Sequence, residues 1–301
     1  MPGILYLVAT PIGNLNDISP RVRSTLDSVD LILAEDTRVT IKLLNHLDIK
    51  KRMLSCHDFN EKSRLSLIKQ FADSAQKIAL VSDAGTPLIS DPGSQIVQEA
   101  ISCDMNIIPI PGPSACLLAL IVSGLPCDRF VFEGFLPVKP KLLQERLEKL
   151  KNEERTIVLY EAPHRILKTL QALSNQLGDR YISIVRELTK KHEETVRGKI
   201  SAIINKLSDD TTLGAKAIKK SADANRNNKK ILGEYVLVIA GNKTASDLDR
   251  ISQTELKNAI KQMLKQGKTL KTAVQDITQA YKLKRSEVYT LALGIQKQLN
   301  E

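Results

Sequence analysis

Residues 81–93 read Val-Ser-Asp-Ala-Gly-Thr-Pro-Leu-Ile-Ser-Asp-Pro-Gly, a polar and turn-rich stretch that follows the apolar run Lys-Ile-Ala-Leu-Val at 77–81. The apolar run predicts a buried parallel strand, and a helical pattern starts near Ser94. A direct link from a strand to a helix needs only about 2–6 residues, so this loop is long for its position. Open α/β sheets bind ligands at the carboxyl ends of their strands. We therefore interpret residues 81–93 as the floor of an active site.

The same arrangement of strand, polar loop and helix recurs along the first part of the chain. Further strand-end loops are led by Pro11, Asp36, Asp58 and Ser114. Strands that alternate with helices at this spacing predict a parallel sheet with right-handed crossovers. Such a sheet brings all five loops to one edge, where they can line a common site.

Three segments follow from this pattern. Residues 1–112 are predicted to form a first α/β domain and residues 113–245 a second, in which strands and helices alternate again. From residue 246 onward the sequence predicts a small helical module ending at residue 301. Two short helices there, joined by a tight link, resemble a helix-turn-helix hairpin, and a plain three-helix cap fits the same sequence.

The bulk composition is that of a globular protein. The 301 residues are 42% hydrophobic and 26% charged. The longest apolar stretch, residues 115–122, is far shorter than the ~20 residues that span a bilayer. The N-terminus lacks the basic region of a signal peptide. The four cysteines form no CxxC pair and no zinc-binding spacing, a pattern typical of a reduced protein. We expect a cytoplasmic protein with no membrane association.

The positive charge is concentrated in two places. The net charge is +10, and residues 214–230 carry six Lys or Arg against one Asp. Residues 251–301 carry nine against four, and the rest of the chain is balanced. Local basic clusters of this kind favour a polyanion such as RNA as partner. A lysine-rich surface that only contacts solvent is the alternative.

Several common kinds of site are poorly supported by the sequence. It contains no G-x-G-x-x-G fingerprint, no G-x-x-x-x-G-K-[ST] loop and no G-x-S-x-G elbow. Its His, Cys, Asp and Glu residues show no metal-ligand spacing, so no metal is expected. What remains is a polar cleft that contains carboxylates and basic groups.

Eight motifs in a fixed order connect the chain to a known family. They are LYLVATPIGNL (5–15), AEDTR (34–38), HDFNE (57–61), VSDAGTPLISDPG (81–93), PGPSA (111–115), FEGFLP (132–137), YEAPHR (160–165) and RELTKKHEE (186–194). Together they resemble the 16S ribosomal RNA cytidine-2′-O-methyltransferases of the tetrapyrrole-methylase superfamily, over residues 4–241 and, in outline, the C-terminal helices. The 214–230 segment is longer and more basic than this resemblance leads us to expect.

The resemblance implies two α/β domains with S-adenosyl-L-methionine in the cleft between them, and a homodimer. It also implies a substrate cytidine in the decoding region of 16S rRNA in the small ribosomal subunit. Matched motif by motif, the methyl donor would be bound by Ile12, Asp83, Thr86, Ser114, Ala115, Tyr160, Leu188 and Ala240.

Methyl transfer to a ribose hydroxyl needs a base, or a cation that stabilises the developing alkoxide. We predict Asp36 or Glu194 beside the hydroxyl, with Arg38 and Lys190 as electrostatic partners. A buried lysine with a lowered pKa is an alternative base. The 2′-hydroxyl distinguishes RNA from DNA, and reaching it requires the nucleotide to leave its stack.

Two other functions fit parts of the sequence. A small-molecule, tetrapyrrole-type methylase of the same superfamily would share the cleft, but such a substrate does not need the two basic segments. A non-catalytic nucleic-acid-binding protein could use the C-terminal helices, but it would not need five polar loops facing one cleft.

Overall fold

A computed structural model describes residues 2–208, 233–242, 253–266, 268–281 and 285–300. The chain forms two compact units, Met1–Gly241 and Asn242–Glu301. The first unit contains two five-stranded sheets and the second contains helices, which confirms the predicted α/β fold class with a helical C-terminal module. The domain boundaries predicted near residues 112 and 245 stay predictions. The basic segment 214–230 lies outside the described residues.

The first sheet is fully parallel, with strand order β3-β2-β4-β1-β5. Its strands are β1 (Ile4–Val8), β2 (Leu31–Ala34), β3 (Met53–Ser55), β4 (Lys77–Val81) and β5 (Asn106–Ile110), and its helices are α1 (Pro20–Ser28), α2 (Thr37–His46), α3 (Leu65–Asp73) and α4 (Ser94–Ser102). Helices on both faces bury both faces of β4: Ile78 and Leu80 pack into one apolar cluster, and Ala79 and Val81 into another. This burial explains the continuous apolar run in the sequence.

The second sheet is mixed, with strand order β6-β7-β10-β8-β9. Its elements are α5 (Ala115–Val122), β6 (Phe130–Phe135), α6 (Pro140–Leu150), β7 (Thr156–Glu161), α7 (Ile166–Leu177), β8 (Tyr181–Arg186), β9 (Glu194–Lys199), α8 (Ile200–Ser208) and β10 (Tyr235–Ile239). Only β6 and β7 are parallel, and β10 runs antiparallel to both of its neighbours. β9 was not predicted, because this edge strand is mostly polar and pairs only with β8.

The described part of the second unit contains three helices, α9 (Gln253–Lys265), α10 (Leu270–Tyr281) and α11 (Arg285–Asn300). They pack around a common apolar cluster formed by Ile260, Val274, Ile277, Val288, Ala292 and Ile295. In the described ranges, no helix combines the length and the apolar character needed to cross a membrane.

Candidate active site

Three strand-end loops of the first sheet are hydrogen-bonded into one surface. The backbone N–H of Thr10 donates to the Gly85 carbonyl at 2.8 Å, and the Gly85 N–H donates back to Thr10 at 3.0 Å. Thr86 Oγ1 then donates to the carbonyl of Pro113 at 3.1 Å. Gly85 has φ +86°, and a Cβ there would lie 3.2 Å from Ile12 Cγ2. The positive φ of residue 85 and its close contact with the Ile12 side chain both favour glycine where the loop after β4 approaches the first loop.

A cavity of about 330 Å³ opens above this surface. Both sheets contribute to its lining, which consists of Ile12, Ala84, Gly85, Thr86, Ile89, Ser90, Asp91, Ser114, Ala115, Phe135, Tyr160, Glu161, Ala162, Pro163, Glu234, Tyr235 and Val236. Five of the eight residues predicted to bind the methyl donor are among them: Ile12, Thr86, Ser114, Ala115 and Tyr160. The volume lies within the range of small-molecule sites, about 300–1,000 Å³.

Tyr160, at the end of β7, connects the second sheet to the loops of the first half. Its hydroxyl accepts a hydrogen bond from the Cys116 N–H at 3.1 Å, which satisfies one of the free donors at the start of α5. Burial raises the pKa of Tyr160 to about 12. The hydroxyl therefore remains protonated at neutral pH and can also donate a hydrogen bond.

Strand β10 reaches the cavity with its amino end. Glu234, Tyr235 and Val236 line the cavity, whereas Ala240 lies at the opposite end of the sheet, where its N–H donates to the Tyr181 carbonyl at 2.9 Å. The prediction for Ala240 treated the carboxyl end of β10 as the functional end. Because β10 is antiparallel to β7 and β8, the structure does not bring Ala240 to the cavity.

Two other predicted donor residues also lie outside the cavity lining. Asp83 Oδ1 accepts a hydrogen bond from the Asp36 N–H at 3.0 Å, and the Asp83 N–H donates to Glu35 Oε2 at 3.1 Å. Asp83 thus joins the loops after β2 and β4. Leu188 belongs to the buried apolar cluster that contains Ile12, so it supports the cavity wall from behind.

Asp91, which was not among the predicted site residues, is the carboxylate that the first sheet contributes to the cavity. Burial raises the pKa of Asp91 to about 6, and the nearby carboxylate of Glu35 is the next largest cause. Burial also raises the pKa of Glu35 and of Asp83. The only sequence signal for Asp91 was its place near the end of the stretch 81–93. The raised pKa itself depends on burial and on carboxylates from other loops.

Asp36 and Arg38, two of the four predicted catalytic residues, pair with each other. Asp36 caps the start of α2, and its Oδ2 lies 2.6 Å from Nη2 of Arg38. The hydrogen bond from the Arg38 side chain lowers the pKa of Asp36 to about 2. A carboxylate this acidic is a weak base at neutral pH. Neither residue lines the cavity, and the Arg38 side chain is 88% exposed.

Lys190 lies between two carboxylates, with Nζ 3.0 Å from both Glu187 Oε1 and Glu234 Oε2. Burial opposes its charge, but the hydrogen bonds to Glu234 and Glu187 raise its pKa above the ordinary value. This direction is opposite to the lowered pKa that a lysine base requires. Its stem also fills the space where a side chain on Gly13 would lie.

Glu194, the fourth predicted catalytic residue, lies across the β8–β9 pair from Arg186. Its Oε2 is 3.6 Å from Nη1 of that buried arginine. Glu194 is not part of the cavity lining. The four predicted catalytic residues are thus divided between the two sheets. Asp36 and Arg38 pair with each other beside the first sheet, whereas Lys190 and Glu194 take part in three ion pairs of the second.

Glu161, the second residue of the YEAPHR motif, is a buried carboxylate that was not among the predicted site residues. It accepts hydrogen bonds from Arg165 Nε, from Thr169 Oγ1 at 2.5 Å and from the Ala162 N–H at 2.7 Å. The Arg165 guanidinium also donates to the Leu136 carbonyl at 3.2 Å. These contacts fix the guanidinium beside Phe135, with 6.0 Å from its central carbon to the ring centroid.

Within the described residues, no group of three or more His, Cys, Asp or Glu could hold a metal ion.

The parallel sheet, the mixed sheet and the cavity between their loops can be compared with known proteins. The profile of the family described as tetrapyrrole (corrin/porphyrin) methylases matches residues 4–204. A crystal structure of diphthine synthase has a TM-score of 0.54 at 16% identity, covering 79% of this chain and 90% of that one. The methyltransferase CobJ has a TM-score of 0.53 at 16% identity, covering 80% and 95%. These likenesses show the fold.

Closer relatives match nearly the whole chain. The protein named ribosomal RNA small subunit methyltransferase I from Synechocystis sp. is 44% identical over 295 residues, covering 98% of this chain and 99% of the relative. The protein of the same name from Bacillus subtilis is 40% identical over 290 residues, covering 95% and 93%. The chain therefore belongs to the tetrapyrrole methylases and, within them, to the family of ribosomal RNA small subunit methyltransferase I.

Proposed function

We propose that the protein is an S-adenosyl-L-methionine-dependent methyltransferase that methylates the ribose 2′-oxygen of a decoding-centre cytidine in 16S rRNA. The observation that carries this proposal is the near full-length identity with relatives named as small-subunit rRNA methyltransferases, combined with a cavity lined by the matching motifs. The particular nucleotide and atom follow from the motif resemblance and are the part that experiment must decide.

The cavity fits the methyl donor in size and in charge. S-adenosylmethionine, when bound, supplies a methyl group on a positively charged sulfur. Asp91 lines the cavity and contributes a carboxylate that favours a cation, whereas the carboxylates of Glu161 and Glu234 are paired with Arg165 and Lys190. Thr86, Ser114 and Tyr160 add hydroxyl groups that can orient a polar ligand by hydrogen bonds.

Asp91 is the residue that best fits the role of base in this geometry. A 2′-hydroxyl loses its proton as it attacks, and a carboxylate with a pKa near the working pH can accept that proton. Asp91 lines the cavity, and its pKa of about 6 leaves it ionised at neutral pH and more basic than an ordinary aspartate. Lys190, held protonated by Glu187 and Glu234, would stabilise negative charge near the amino end of β10.

The charge distribution supports an RNA substrate over a small tetrapyrrole. The net charge is +10, and segment 214–230 alone contributes +5. Lysine and arginine bind phosphates and make RNA binding dependent on salt. We therefore also propose that the protein acts in the cytoplasm, where small ribosomal subunits are assembled.

A second copy of the chain is the partner proposed for helix α5. Leu117 and Ile121 on this helix are 50% and 66% exposed, an apolar face that would be covered in a homodimer. Sedimentation equilibrium measures the mass directly. A monomer at micromolar concentration would contradict the dimer without affecting the proposed reaction.

The decisive experiment is transfer of radiolabelled methyl from S-adenosylmethionine to three acceptors: small subunits from cells lacking this protein, free 16S rRNA and a reduced tetrapyrrole. Nuclease digestion then locates the label on ribose or base. We expect label on a cytidine 2′-oxygen in the subunit. Label only on the tetrapyrrole would favour the small-molecule methylase. Subunit binding with neither donor binding nor label would favour a non-catalytic RNA-binding protein.

A further inference from the structure

A β-bulge in β6 decides where the side chain of Phe135 points. The register of β6 against β7 shifts between Phe132 and Gly134. In a regular strand, residues three apart face opposite sides of the sheet. Here the rings of Phe132 and Phe135 both contact the ring of Tyr160, with centroids 5.0 Å and 5.7 Å away. The bulge has therefore turned Phe135 onto the cavity side, a known use of bulges beside functional sites.

The bulge lies close against the loop after β4. Gly134 has φ +62°, and a Cβ there would lie 2.8 Å from Ser90 Oγ. Ser90 and Leu88, on that loop, themselves have φ of 69° and 74°, a conformation that is unfavourable for residues other than glycine. Backbone with positive φ thus meets from both sheets at this point. The backbone of Phe135 therefore lies next to a close contact between the two sheets.

Phe135 is unusual in its exposure. It lines the cavity, yet 53% of the residue is open to solvent. The guanidinium of Arg165 lies over the ring at 6.0 Å from the centroid, and Glu161 holds that guanidinium in place. The mouth of the cavity therefore presents a flat, rigid apolar surface next to a fixed cation. Its apolar area remains uncovered within the described residues.

We infer that Phe135 is the platform on which the substrate's nucleobase stacks when the nucleotide is pulled out of the RNA. This inference rests on the proposed function and identifies where the substrate base is held. Proteins that bind unpaired RNA stack its bases on aromatic rings and on arginine planes. A base held at the cavity mouth would place its own ribose hydroxyl at the cavity entrance. Donor rings would bind deeper, where the lining is buried.

The test compares Phe135→Leu, Phe135→Tyr and the control Tyr181→Leu. Tyr181 is also a partly exposed aromatic of the second sheet, but it lies at the edge opposite the cavity. The readouts are kcat/KM for unmodified small subunits at saturating donor, donor affinity by calorimetry, and the melting temperature as a folding check. We expect Phe135→Leu to lower kcat/KM by about 10-fold to 100-fold with unchanged donor affinity. Phe135→Tyr should retain activity, and Tyr181→Leu should have no effect.

Three results would overturn the inference. They are an unchanged kcat/KM in Phe135→Leu, an equal loss in Phe135→Tyr, or a loss of donor affinity that accounts for the whole effect. The last result would make Phe135 part of the donor pocket. The wild-type protein separates this inference from the proposed function. If wild type labels no cytidine 2′-oxygen, the proposed function fails; if it does and Phe135→Leu is unaffected, only the stacking role fails.

Discussion

The two sheets of the first unit line the same cavity in different ways. The parallel sheet contributes only the carboxyl ends of its strands, through loops such as those that contain Thr86 and Ser114. The mixed sheet contributes the carboxyl end of β7 and the amino end of β10, where Glu161 and Tyr235 are register partners. An antiparallel pair therefore places the beginning of one strand beside the end of another. In such a sheet, the strand ends that line a site cannot be identified by choosing the carboxyl end of every strand.

The largest expected effect tests whether a loop of the parallel sheet supplies the catalytic base. We expect Asp91→Asn to lower kcat by about 10²-fold to 10⁴-fold, since the amide cannot accept the proton. In the wild type, kcat should fall as pH drops below about 6, because Asp91 is then protonated. A pH–rate profile measures both effects.

Asp36→Asn is the matched control for Asp91→Asn, because it makes the same change on the same edge of the sheet outside the cavity. It should retain most of the activity and the acidic limb of the pH profile. If Glu194→Gln abolishes turnover and Asp91→Asn does not, the catalytic base is Glu194 on the mixed sheet and not Asp91 on the parallel sheet.

The second prediction concerns the basic segment 214–230. Deletion of 214–230 removes a net charge of +5. We expect binding to small subunits to weaken by on the order of 10-fold to 100-fold near physiological salt, and the slope of log K against log salt to flatten by about 0.7 per lost phosphate contact. Filter binding at several salt concentrations measures the slope. An unchanged slope would mean that this segment does not bind RNA.

The third prediction tests the close approach of Gly134, at the bulge in β6, to Ser90 in the loop after β4. Gly134→Ala should lower the free energy of unfolding by about 1–3 kcal/mol, because it forces a side chain to φ +62° and against Ser90. Gly124→Ala is the matched control, with φ +77° and no atom within 4 Å of the added Cβ. Urea denaturation compares the two. Equal losses would show that Ser90 does not constrain the bulge.

The smallest effect compares two residues predicted to bind the donor. Tyr160→Phe leaves the Cys116 N–H without its partner, so we expect donor affinity to fall by up to about 10-fold. Ala240→Ser, at the opposite edge of the same sheet, should leave donor affinity unchanged. Calorimetry with S-adenosylmethionine measures both. A larger loss in Ala240→Ser would restore the original prediction for that residue.

The sequence was sufficient to predict the parallel sheet and many of the residues that its loops contribute to the cavity. Ile12, Thr86 and Ser114 follow apolar runs whose direction is fixed by the crossover rule, so their common edge could be inferred. The direction of β10 could not be inferred this way, since it depends on pairing with strands far away in sequence. That is why Ala240 was expected at the cavity and Glu234 was not.

Electrostatic properties were the least accessible from sequence. The raised pKa of Asp91 depends on burial and on the carboxylate of Glu35, which comes from another loop. Lys190 is held protonated partly by Glu234, which is 44 residues away in the chain. Motif positions placed these residues on functional loops, but only the packing of the loops determines which group can act as a base.

The direction of β10 also decides which connection of the mixed sheet reaches the cavity. Glu234 lines the cavity and comes immediately before the strand, whereas Ala240 follows the strand at the opposite end of the sheet. If β10 were reversed, the length of this five-residue strand, about 17 Å, would separate Glu234 from the cavity. The antiparallel arrangement thus makes the cavity sensitive to changes in the chain just before β10 and insensitive to changes just after it.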